Sequence, residues 1–167
     1  MKVVAIGTGY VGLVTGVCYA SLGHDVVCLD IDSGKIESLN NGHSPIFEPG
    51  LEDLMAQAVQ DDLLHFSTDY VSALSDADVA IIAVGTPTEE GGSKANTSFV
   101  DAAFRSILEH QSGELTVVVK STVPIGTNDR LQRWLEQETT KAPIHLASNP
   151  EFLREGAAIS DFMQPDR

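Results

Sequence analysis

An α/β fold, a doubly wound and mainly parallel six-stranded sheet with helices on both faces, is what this sequence predicts, and three observations carry it. Six short apolar runs are bounded by turn signals. The runs are nearly continuous rather than alternating, as expected of strands covered on both faces. Helical patterns fill the intervals, so strand and helix alternate along the chain.

The first run, KVVAIG (2–7), opens onto a helical pattern over 11–22 that Gly23 should stop. DVVCLD (25–30) comes next, followed by a helix over 33–40 that Asp32 is placed to cap and Gly42 to end. A helix over 50–60 leads to LLHFS (63–67), and another over 69–75 leads to DVAIIAV (78–84). Ser98-Phe-Val-Asp101 reads as a capping box within a helix over 97–110, with Gly113 as its stop. LTVVVKS (115–121), a helix over 127–139 and IHLASN (144–149) complete the sheet. NNGHSPIFEPG (40–50) and TEEGGSKAN (88–96) read as surface loops, and no internal repeat divides the single domain, 1–167.

A chain of 167 residues is long enough to bury ~70% of the surface it exposes unfolded. Hydrophobic residues make up 43% of it, but no apolar run approaches a membrane span. Glycines interrupt MKVVAIGTGY before a signal-peptide core forms, so export is not expected and a cytoplasmic setting is. Cys18 and Cys28 lie in apolar segments without metal-ligand spacing, which predicts reduced core thiols and no metal site. The net charge of −14 excludes nucleic acid and anionic membrane as partners of the surface as a whole. An anionic nucleotide would have to be held by backbone N–H groups and a few local cations.

AIGTGYVG supplies such a place. Gly7, Gly9 and Gly12 have the G-x-G-x-x-G spacing after a strand and before a helix. In that context Gly7 permits the tight turn, Gly9 lets the backbone approach a pyrophosphate, and Gly12 lets the helix pack against the sheet. Thr8, Tyr10 and Val11 complete the loop. Asp30 ends the second strand eighteen residues after Gly12. A carboxylate there accepts from ribose hydroxyls and repels a 2′-phosphate, which selects NAD over NADP and defines a Rossmann-type fold. Asp32 is the competing ribose partner, and Lys35 either faces the adenosine or solvates a helix.

Three further stretches follow strands: VGTPT (84–88), KSTVPIGT (120–127) and SNPEFLREG (148–156). In a parallel sheet such loops emerge at one edge, so they converge with the glycine loop on one crevice. This brings Thr86, Pro87, Ser121 and Thr122 to where a nicotinamide or a reacting carbon would lie; the alternative for each is turn chemistry. Glu151 and Glu155 share a face if their segment is helical, as general acid/base candidates or as a solvated helix start behind Pro150. The five histidines read as structural, and Trp134 as core or interface.

GTGYVG, SPIFEPGLEDL, VGTPT, KSTVPIGT and above all NPEFLREGAAISDFMQPDR resemble the N-terminal half of the UDP-glucose/GDP-mannose dehydrogenase family. The last stretch is more similar to the UDP-glucose branch than to the GDP-mannose branch. The resemblance implies oxidation of the C6 alcohol of a nucleotide sugar, UDP-glucose to UDP-glucuronate, with two NAD and one water, the aldehyde stage held on a cysteine. It assigns NAD to Gly7, Thr8, Gly9, Tyr10, Val11, Gly12, Asp30, Lys35, Thr86, Pro87, Ser121 and Glu155. It assigns the catalytic water to Thr122, proton transfer to Glu151, and the sugar site to Glu151, Phe152, Leu153, Arg154 and Glu155. The family's nucleophilic cysteine and a catalytic lysine belong to a second half absent here, so this chain alone is expected to be inactive and the full-length protein to be a homodimer. A GDP-mannose dehydrogenase domain and a stand-alone NAD(H) sensor are the competing expectations.

Overall fold

The computed structural model describes residues 1–89 and 91–165; Glu90, in the 88–96 loop, and Asp166 and Arg167, which end NPEFLREGAAISDFMQPDR, lie outside the described residues. Among the described residues six strands form one sheet: β1 (Lys2–Ile6), β2 (Asp25–Leu29), β3 (Leu64–Ser67), β4 (Val79–Ile82), β5 (Leu115–Val119) and β6 (Ile144–Ser148). They lie in the order β3-β2-β1-β4-β5-β6, and every pairing is parallel. The chain winds outward from β1 to β3, then returns past β1 to β4. The order therefore reverses between β1 and β4, and a crevice opens there outside the carboxyl ends of the strands.

Side-chain alternation splits the core in two. Val4 and Ile6 of β1 point to one face, where α4 (Tyr70–Leu74), α5 (Ser98–His110) and α6 (Thr127–Gln137) pack. Val3 and Ala5 point to the other, beneath α1 (Tyr10–Ser21), α2 (Ser33–Asn40), α3 (Leu51–Gln60) and α7 (Ala158–Met163). Because both faces are covered, the central strands carry apolar residues at consecutive positions, which is the pattern the sequence shows. Cys18 and Cys28 are buried and unpaired in the second layer.

The expected elements form with shifts of a residue or two at their ends, and Gly23 and Gly42 close α1 and α2 with positive φ. Three local expectations fail. Ser98 and Asp101 make no capping box: the N-cap of α5 is Thr97, whose side chain makes no cap bond, and Asp101 instead takes a bidentate ion pair from Arg130 at 2.7 Å, tying α5 to α6. Gly113 does not stop α5, which already ends at His110 with Gln111 as an extended C-cap. The segment after β6 is irregular through Arg154, so Pro150 starts no helix and Glu151 and Glu155 share no helical face; the helix there is α7, a few residues later. The 40–50 stretch is a surface loop as expected, but Glu48 within it is only 5% exposed.

Candidate functional site

The glycine loop is built by close approach. Gly7 has φ +99°, and a Cβ there would lie 2.8 Å from the carbonyl oxygen of Ala83, at the end of β4. A Cβ on Gly12 would lie 1.8 Å from the Gly7 carbonyl oxygen, so no side chain fits where α1 meets the turn. Gly9 differs: a Cβ there meets nothing within 4 Å. Space has been left at Gly9 although the folded chain itself does not need it.

α1 begins directly behind this opening. Its N-cap is Gly9, no side chain caps it, and its first turn carries no acidic residue. The first intrahelical bond runs from Leu13 N–H to Gly9 C=O at 2.9 Å, so the N–H groups of residues 10–12 have no acceptor within the helix. Uncapped donors, the helix dipole and an open Cβ position form a cradle for a phosphate. They fit the pyrophosphate of a dinucleotide.

Beside the loop lies a cavity of about 500 Å³, in the range of small-molecule sites. Ile31, Tyr70, Val84, Phe99, Ala102 and Ala103 form its apolar wall, and Asp30, Asp32 and Lys35 its polar edge. Asp30 Oδ2 accepts from the Thr8 N–H at 2.8 Å and the Thr8 hydroxyl at 2.7 Å, and Oδ1 accepts from the Asp32 N–H at 3.0 Å. Burial pushes the Asp30 carboxyl up, but these bonds and Lys35, 3.9 Å away, outweigh it and hold the group below the usual carboxylate range. Asp30 is thus a fixed anion at the cavity rim. Asp32 caps α2 by accepting from the Gly34 and Lys35 N–H groups, as its position in the sequence suggests.

The loops after β4, β5 and β6 meet at the same edge. The Thr86 hydroxyl donates to the Thr122 carbonyl at 2.8 Å, and the buried Ser121 hydroxyl donates to the Val84 carbonyl at 2.7 Å. Both hydroxyls staple loops together and offer only lone pairs outward. Thr122 and Pro87 are exposed. Glu151 is half-buried and bends its own segment by accepting from the Leu153 N–H at 2.7 Å. Phe152 and Glu155 are exposed, and Leu153 packs on the second core layer. Arg154 is engaged with Asp161 through its backbone N–H and guanidinium, which pushes the Asp161 carboxyl down to about 2.

Sequence reasoning passed over three features. Lys120, 8% exposed at the end of β5, donates to Asn149 Oδ1 at 3.0 Å; burial draws its ammonium below the ordinary lysine value, against the pull of Glu151. Its only trace in the sequence is a charge closing an apolar run. Glu48 accepts from the Tyr10 hydroxyl and from the Gly156 and Ala158 N–H groups, and nothing in SPIFEPG marks it as buried. The cavity wall on α5 was legible in principle: Phe99, Ala102, Ala103 and Ser106 follow helical spacing, with small residues where a ligand needs room.

The family model for the UDP-glucose/GDP-mannose dehydrogenase family, NAD binding domain, matches residues 1–167. UDP-glucose 6-dehydrogenase of Rhizobium meliloti is 52% identical over the whole chain, and UDP-glucose 6-dehydrogenase YwqF of Bacillus subtilis is 49% identical. The chain spans 38% of the length of each of these relatives. Among solved structures, a UDP-glucose dehydrogenase from Pyrobaculum islandicum superposes with TM-score 0.91 and 40% identity over 99% of this chain and 39% of that one. A ternary complex of GDP-mannose dehydrogenase from Pseudomonas aeruginosa gives 0.90 and 38%, again over 99% of this chain and 39% of that one. The uncapped glycine-loop helix, the carboxylate at the end of β2 and the match from the first residue to the last agree: this chain belongs to the UDP-glucose/GDP-mannose dehydrogenase family, as its NAD-binding domain.

Proposed function

We propose that this chain is the NAD-binding half of a nucleotide-sugar 6-dehydrogenase that oxidises UDP-glucose to UDP-glucuronate. The observation that carries the reading is the convergence of the glycine loop, the Thr86–Thr122 staple and Glu151 on one sheet edge. Relatives called UDP-glucose 6-dehydrogenase, at 52% and 49% identity, support the choice of sugar nucleotide. Gly7, Thr8, Gly9, Tyr10, Val11 and Gly12 hold the pyrophosphate through backbone N–H groups. Asp30, with one oxygen less occupied than the other, accepts from the adenosine ribose, and Lys35 lies over the same end. Thr86, Pro87, Ser121 and Glu155 border the nicotinamide.

NAD supplies a hydride acceptor when bound. This chain's own residues would hold the sugar and manage water and protons. Thr122 presents an exposed hydroxyl to position water at C6. Glu151, fixed by the Leu153 N–H through Oε2, keeps Oε1 to take or return a proton. Phe152, Leu153, Arg154 and Glu155 line the sugar on the same segment. Lys120 and Asn149 brace the base of that segment between β5 and β6. The cysteine on which the aldehyde is held lies outside this chain, because Cys18 and Cys28 are buried in the core away from the cleft. The chain alone therefore binds NAD but turns over no sugar nucleotide.

Joining the chain to the remaining length of the Rhizobium meliloti relative tests the residue roles. The chimera should form NADH from UDP-glucose, and Glu151→Gln should give a burst of NADH and a steady state slower by ~10²–10⁴-fold, the usual size of a lost acid/base group. A Gln variant with an undiminished steady-state rate would remove Glu151 from proton transfer. Turnover of GDP-mannose in preference to UDP-glucose would favour the second branch of the family.

A further inference from the structure

Glu48 lies in a loop whose neighbours Phe47 and Pro49 face solvent, yet its own side chain is buried. A buried carboxylate is tolerated only where donors surround it. Here Oε2 accepts from the Tyr10 hydroxyl and from the Gly156 N–H at 2.8 Å, and Oε1 accepts from the Ala158 N–H at 2.9 Å. These donors belong to two distant segments. Tyr10 is the first residue of α1, next to Gly9; Gly156 and Ala158 form the turn from the Glu151–Glu155 stretch into α7. Ala157, the N-cap of α7, has no side chain to cap it, so Glu48 provides the cap from elsewhere in the sequence. The Tyr10 hydroxyl also lies 3.4 Å from the Arg154 carbonyl oxygen.

We infer that Glu48 is a positioning residue: through Tyr10 it fixes the seat of the 151–158 segment against the first turn of the glycine-loop helix, so that dinucleotide binding and the order of that segment are coupled. The inference rests on the proposed reading of the glycine loop as the pyrophosphate cradle. A phosphate held by the first-turn N–H groups restrains the backbone of Tyr10. Its hydroxyl passes the restraint to a carboxylate whose other lone pairs hold Gly156 and Ala158, and ordering one end lowers the cost of ordering the other. A carboxylate is suited to this because it only accepts; an amide in its place turns an N–H toward at least one of the three donors.

Hydrogen exchange read by mass spectrometry over 150–163, with β1 and β4 as internal controls, tests the coupling in the wild-type chain, Tyr10→Phe and Glu48→Gln. Each is measured with and without NADH, with saturation checked by NADH fluorescence. In the wild type NADH should slow exchange over 150–163 by about fivefold or more. Glu48→Gln should speed it by about tenfold or more without NADH, the effect of one lost charge-assisted bond, while β1 and β4 stay protected. Tyr10→Phe, which keeps the ring and the backbone N–H and removes only the hydroxyl, should lose the slowing when compared with the wild type at NADH saturation. It also keeps the inference open to refutation should Glu48→Gln fail to fold. Exchange over 150–163 that ignores bound NADH in the wild type, or a Tyr10→Phe response equal to the wild-type one, overturns the coupling alone. Failure of the wild type to bind NADH overturns the cofactor cradle and the coupling together.

Discussion

Replacing Gly9 by alanine separates what the fold needs from what the cofactor needs. Gly9 has φ −73° and ψ −173°, a conformation open to any L-residue, and a Cβ there meets nothing within 4 Å. Restricting the unfolded chain should stabilise the folded state by about 0.4–1 kcal/mol. Loss of glycine at an N-cap costs about the same, since alanine is poor there. The two effects nearly cancel, so the melting temperature should move by no more than about 2–4 °C, the shift that 1 kcal/mol gives a domain of this size. Binding should suffer far more, because the new methyl group occupies the space proposed for the pyrophosphate; overpacking of about 1–3 kcal/mol corresponds to a five- to 150-fold weaker NADH affinity. Gly12→Ala is the control. Its Cβ would lie 1.8 Å from a backbone carbonyl, so stability and binding should fall together. Differential scanning fluorimetry and NADH fluorescence titration read the two quantities independently. Gly9→Ala protein that keeps its melting temperature and also binds NADH within twofold of the wild type would refute the role given to the glycine loop.

The carboxyls of Asp30 and Glu48 are pushed up by burial but pulled further down by their hydrogen bonds, so both sit below the ordinary range near 4. Such groups stabilise the fold fully above their unfolded values, and lose that contribution as pH falls through their lower folded values. Melting temperature should therefore drop below about pH 4, and Glu48→Gln should start lower at pH 7 and show a shallower acid-side fall; parallel curves would contradict this. Burial pushes the Cys18 thiol up to about 11 and the Cys28 thiol up to about 12. Neither should react with a disulfide reagent at pH 8 in the native chain, and both should react in denaturant; a native-state thiol titre of one or two would contradict their burial.

The sheet was legible because strands buried on both faces must be apolar at consecutive positions, and KVVAI, DVVCL and LTVVV announce that directly. The glycine loop was legible for a related reason: where a Cβ would strike a carbonyl, as at Gly7 and Gly12, residue choice is forced. Short-range pattern failed where distant partners decide. Asp101 matches a capping box in spacing, but Arg130 offers it two charged donors, a stronger interaction than one backbone N–H. Pro150 and Glu151 match a helix start, yet Glu48 caps the chain seven residues later and sets the helix at α7 instead. Lys120 and Glu48 were missed together because burial of a charge is fixed by tertiary partners, Asn149 for one and Tyr10 with two backbone amides for the other. Of the proposed cofactor contacts, Asp30 was foreseen as a ribose acceptor, but its prior engagement by Thr8 was not.

Isothermal titration of this chain with NADH and with NADPH measures whether a dinucleotide binds and whether Asp30 selects it. A 2′-phosphate beside the ionised Asp30 meets repulsion of about 1–4 kcal/mol, depending on local screening, which corresponds to roughly a fivefold to thousandfold weaker NADPH affinity. One site per chain is expected, with NADH bound more tightly than NADPH by at least that lower factor and the preference lost in Asp30→Ala. Equal affinity for the two dinucleotides, or binding of neither, would contradict this.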